Sequence, residues 1–108
     1  MSEKCSLNPK DYPVGTVIPA ELSCVIQIAG EKSGLHVLES SGNLAERINL
    51  ALLKEETMIP VVSFALPTYE REDGFYKGLA PTESYMNINM IVSISSYSTP
   101  IKIVDYGN

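Results

Sequence analysis

The chain has 108 residues, of which 44% are hydrophobic and 19% charged, and its formal net charge is −5. That length suits one domain able to bury a core without a metal or disulfide staple. The balance excludes a strongly basic nucleic-acid binder and an acidic disordered tail. With six Tyr, two Phe and no Trp, the core must be mostly aliphatic.

In chain order, residues 1–13 are expected to be a flexible N-terminal arm, because Asn8-Pro9 and Tyr12-Pro13 both disfavour helix. Residues 14–108 are expected to form the single domain. The polar start lacks the basic-then-apolar pattern of a signal peptide, and no window approaches the ~18 apolar residues of a membrane helix. The expectation is a soluble, cytoplasmic protein with no membrane partner, in which Cys5 and Cys24 are free thiols.

The first strand is expected over 14–18, ended by Pro19. Leu22, Cys24, Ile26 and Ile28 then alternate with their neighbours at period two, which predicts a strand with one apolar side. Segment 30–34 carries glycine at both ends and predicts a hairpin loop in which both supply positive φ. Residues 35–40 return as a third strand.

One helix follows. Asn43 is the expected N-cap, with Glu46 three residues on completing a capping box. Leu44, Ile48, Ala51 and Leu52 share one face. The helix is expected to end near residue 54 or 55. Glu55-Glu56 stand against the negative end of its dipole, so it should stop early or those glutamates should find partners.

Residues 58–66 are apolar on both faces, the pattern of a central strand covered on both sides, with Pro60 allowed only near its start. Residues 68–84 are the most polar stretch, and Asp73-Gly74 within it predicts a tight turn. A long half-buried strand is expected over 86–96, and a last one over 101–104. The fold class is α+β, a mostly antiparallel β-sheet of order βββ-α-βββ with one covering helix. A partly open barrel of the OB type, which also places a helix between its third and fourth strands, is the minority alternative.

The chemistry is sparse. His36 is the sole histidine, and its place between Leu35 and Val37 predicts an outward, solvated ring. No zinc-ligand spacing, nucleophile elbow or phosphate-binding glycine motif occurs. No metal, cofactor or enzymatic activity is expected. Paired carboxylates could act as general acid and base, and Glu39, Glu46, Glu55 and Glu56 are candidates only as acids that any chain carries. Tyrosines cluster in the second half and could stack bases. Residues 55–108 nevertheless hold three cations against seven acids, which disfavours phosphate binding.

What remains is surface recognition. The expected partner-binding set is Tyr69, Tyr76, Tyr85, Asn87, Asn89, Ile91, Ser93 and Tyr97, with the acidic loop residues Glu70, Glu72 and Asp73. Tyrosine buries a large area at low entropy cost, and the acidic loop would steer a basic partner. No charge stands between Glu83 and Lys102. Free sheet edges normally carry charge, so this stretch should be central or paired across a homo-oligomer interface. The leading expectation is a non-enzymatic interaction protein whose partner is another protein or a second copy. The alternatives are an OB-like single-strand nucleic-acid binder, and a small-ligand binder or carboxylate-dependent enzyme.

Overall fold

The computed structural model describes residues 7–67 and 70–105. In chain order these form β1 (Val17–Ile18), β2 (Cys24–Ile28), β3 (Leu35–Val37), α1 (Ser41–Leu53), β4 (Met58–Phe64), β5 (Tyr76–Gly78), β6 (Thr82–Asn87), β7 (Ile91–Ser96) and β8 (Ile101–Ile103). The fold is α+β, with two antiparallel-rich sheets and a single helix. A five-stranded sheet has the order β6-β4-β3-β2-β7, and a three-stranded sheet the order β1-β8-β5. Only the β5–β8 pair is parallel.

The molecule has two cores because the large sheet is covered twice. On one face, Leu44, Ile48 and Ala51 of α1 pack on Cys24, Ile26, Val37, Ile59, Val61 and Met86. On the other, Val62 and Phe64 meet Ile18, Ile101 and Ile103 of the small sheet. Alternate residues of β4 therefore enter different cores. That is why residues 58–64 are apolar on both faces, as the sequence pattern predicts. Cys24 is a free, buried thiol that packs as a small hydrophobe.

Several local expectations change. Ser40, not Asn43, is the N-cap: its side chain accepts the Asn43 N–H at 3.2 Å. Asn43 thus lies inside the first turn. Gly30 has a positive φ of 84°, but Gly34 does not. Gly34 is required by space, since a Cβ there would stand 2.5 Å from Val25 Cγ2 and 3.2 Å from the Ile26 carbonyl oxygen. Of the expected arm, residues 1–6 lie outside the described set. Pro9–Asp11 forms a 3-10 turn, and Tyr12 packs against the second core. Asp73 and Gly74 take φ of 56° and 85°, closing a two-residue hairpin in which Glu72 and Phe75 exchange both backbone bonds.

The end of α1 explains the glutamates. Glu55 N–H bonds the Leu52 carbonyl and Glu56 N–H bonds the Ala51 carbonyl, the double bond of a Schellman motif. Its left-handed position, normally glycine, is filled by Glu55 at φ 60°. Glu55→Gly is expected to stabilise the domain by about 1 kcal/mol, because the left-handed strain and a charge at the negative helix end both disappear. A shift of the urea midpoint upward at unchanged m-value checks this.

Candidate binding seam

The stretch expected as one strand over 86–96 is two. β6 and β7 stand at opposite edges of the five-stranded sheet, yet only the 3-10 turn Ile88–Met90 joins them. The ladders show how. β6 runs alongside β4 until Asn87 faces Met58, and β7 begins opposite Ile28 at the far end of β2. In a flat sheet those points would lie about nine residues, or ~30 Å, apart along the strands. Four Cα steps span at most about 15 Å. The sheet must therefore coil until its two edges meet at this turn. Thr57 receives the Ile88 N–H at 2.9 Å, and Met90 receives the Ala29 N–H at 2.8 Å. β6 and β7 form no ladder with each other, so the barrel does not close. Residues 82–96 are one continuous seam, and the expectation of a central strand gives way to two edges.

The seam gathers four of the expected residues. Tyr85 is 65% exposed on β6. Asn87 caps the turn, its Oδ1 accepting the Asn89 N–H at 2.9 Å. Asn89 and Ser93 are exposed. Between Gln27↔Ser93 and Ile28↔Ile91 the register shifts, leaving Val92 as the bulged residue, 65% exposed. Ile91 turns inward and packs on the first core.

The other expected residues lie elsewhere. Glu70 is exposed, Glu72 bonds Lys77 Nζ at 2.6 Å, and Asp73 occupies the hairpin tip. That hairpin leads into β5 of the small sheet, so the structure divides the expected surface between two sheets. Tyr69 lies outside the described residues. Tyr76 and Tyr97 are half-buried against the second core, their rings 6.1 Å apart edge to face.

Tyr97 meets the histidine there. His36 is only 7% exposed, its Nδ1 hydrogen-bonded to the Tyr97 hydroxyl and its ring 5.6 Å from that of Phe64. The expected solvated histidine is thus an interior one, because the small sheet covers the face that alternation left open. Burial lowers its pKa, which keeps the ring neutral at physiological pH.

One polar cluster was not evident in the sequence. Glu39, 1% exposed, accepts from Asn43 Nδ2 and pairs with Arg47 Nη1 at 3.3 Å. Arg47 Nη1 also donates to the Pro60 carbonyl at 2.8 Å, as does Nη2. Burial pushes the Glu39 carboxyl up, and the Arg47 charge and Asn43 hydrogen bond pull it back. The cluster serves the backbone. β3 pairs with β4 only at Ser63 and Phe64, so the first half of β4 has an open edge beside α1. Arg47 takes the Pro60 carbonyl on that edge, Leu38 N–H takes Val62 at 2.9 Å, and Pro60 has no N–H to satisfy.

Among the described residues, no three His, Cys, Asp or Glu side chains come together as metal ligands, and no helix is long and apolar enough to cross a membrane. No protein-family model matches the chain, and no curated protein or solved structure is significantly similar to it.

Proposed function

We propose that this protein is a non-enzymatic interaction module whose seam takes up an extended segment of a protein partner. The observation that carries this is the β7 edge: six residues with no Lys, Arg, Asp, Glu or Pro, left unpaired on one side of a curled sheet. Such an edge offers unpaired backbone donors and acceptors to an incoming strand. Tyr85, Asn87 and Asn89 continue the surface beyond the turn and supply contacts that read side chains. The acidic hairpin adds long-range attraction for a basic partner. The seam holds no cation to meet a phosphate, which favours a protein segment over an oligonucleotide.

The test is a capture experiment comparing the natural chain with a Tyr85→Ala/Val92→Lys variant. Both positions are exposed, so folding should be unchanged by circular dichroism. A partner retained by the first and lost by the second supports the proposal. A partner held equally by both removes the seam from its binding.

A further inference from the structure

The sole histidine stands where the two sheets meet. His36 belongs to β3 of the large sheet, on the face that the small sheet covers. Its ring lies 5.6 Å from that of Phe64 on β4 and 5.9 Å from that of Tyr97, which follows β7. Its Nδ1 is hydrogen-bonded to the Tyr97 hydroxyl, and Tyr97 in turn meets Tyr76 of β5 edge to face. A chain of rings thus runs from the large sheet to the small one through an imidazole, the side chain that changes charge between pH 5 and 8. The charges around it stand at the margins. β1, β2, β4 and β7 carry none. Lys102 is the exposed middle residue of β8, and Lys77 of β5 pairs with Glu72. Glu83 of β6 is exposed opposite Val62. Asp11 and Glu21 are exposed on the two turns that bring Tyr12 and Leu22 to this core. Glu39 pairs with Arg47 beside α1, on the other face of the sheet.

We infer that His36 is an acid-operated latch: protonation of its ring releases the small sheet from the large one and uncovers the apolar face of Val62 and Phe64. A charged imidazole between the sheets loses its hydration, whereas parting the sheets returns it to water. Burial holds the ring below its ordinary 6.5 in the closed molecule, so the parted state takes up the proton first. The closed state therefore keeps its full advantage above pH 6.5 and loses it as pH falls below that value, by up to about tenfold per pH unit for one proton. Glu39 acts in the opposite sense. Its carboxyl is raised in the fold, so its own titration favours the folded chain on acidification. Acid thus loosens the junction of the sheets and not the α1 side of the molecule. The latch uses none of the seam residues, so it stands or falls separately from the seam.

The full natural chain tests this without substitution. A single histidine gives a single ring Cε1–H signal in the NMR spectrum, and its shift against pH reads the titration of His36. Amide hydrogen exchange between about pH 7.5 and 5.5, corrected for the intrinsic pH dependence of exchange, reads opening. The ring is expected to titrate below 6.5. Opening at β5 and β8 should rise severalfold, up to about tenfold over that range, while β2, β3 and α1 stay protected. His36→Phe keeps a ring without the proton site and should abolish the rise. His36→Gln, which keeps a polar group for the Tyr97 hydroxyl, should do the same and serves if the phenylalanine does not fit. A ring that titrates at or above 6.5 overturns the inference. So does opening that is flat with pH, or that rises equally in every strand. A rise that persists in the variants overturns it too, because another group then carries the proton.

Discussion

Replacing Arg47 by Met is expected to cost about 3–5 kcal/mol, a large share of the roughly 5–15 kcal/mol that stabilises a domain. The loss is not that of a surface ion pair, which contributes about 0–1 kcal/mol. Among the described residues Arg47 is the only cation paired with Glu39, and that carboxylate is 1% exposed. Removing the guanidinium leaves a charge in the interior and an unsatisfied carbonyl at Pro60. Two companion results separate these effects. Glu39→Gln/Arg47→Met should recover a substantial part, because no charge is then buried. The single variant should also regain stability on acidification. Burial already raises the Glu39 pKa above its ordinary 4.5, with Arg47 opposing; without Arg47 the rise is larger. The native state then holds a proton that the unfolded chain has lost, so stability is fully present below the unfolded value and falls as pH climbs through the folded one. Urea midpoints at pH 4 and pH 7 read this directly. A variant within about 1 kcal/mol of the natural chain at pH 7 would mean that water reaches Glu39 and shields it.

The elements legible in the sequence were those with a local cause. Period two between Cys24 and Ile28, the apolar face of Leu44, Ile48 and Ala51, and Asp73-Gly74 each specify their structure within a few residues, whereas Leu22, expected in the same strand, ends a 3-10 turn and packs on the second core. Illegible were features that depend on what lies across the sheet. His36 looked solvated because alternation shows that a face exists, not that a second sheet covers it. Residues 86–96 alternate as one strand would. The change of neighbour, from β4 to β2, is a property of the coiled sheet and leaves only Asn87 and the bulge at Val92 as local traces. Four residues of the expected surface, Tyr85, Asn87, Asn89 and Ser93, share the seam because they lie close along the chain. Tyr76, Tyr97 and Ile91 were drawn inward by packing that no spacing shows. Glu39 was visible only as an acid near the end of the expected 35–40 strand and one of several acid–base candidates, and its partner Arg47 only as part of a helix's polar face. What unites them is the open edge of β4, which the sequence marks solely by Pro60.

The second large effect is expected where the two sheets meet. Phe64 lies in the second core, against His36 on one side and β5 on the other. Phe64→Ala should cost about 3–5 kcal/mol, the usual range for a large side chain removed from a close-packed interior. Gly78 faces the same ring: a Cβ there would stand 3.0 Å from Phe64 Cδ2 and 3.0 Å from Ile101 Cγ2. Gly78→Ala alone is therefore overpacked and should cost about 1–3 kcal/mol. Together the two changes should cost less than their sum, with a coupling of about 1 kcal/mol, because the new methyl enters space the ring has vacated. The relief stays partial, since Ile101 remains. Hydrogen exchange should show where the stability went. Backbone amides of β1, β5 and β8 should lose protection before those of β2 and β3, because the small sheet is held to the large one through this core while β2 and β3 are also held by α1. Additive costs would mean that the ring moves aside for the methyl, and the position of the small sheet would then rest on Val62, Ile18 and Ile103 rather than on the contact of Phe64 with Gly78.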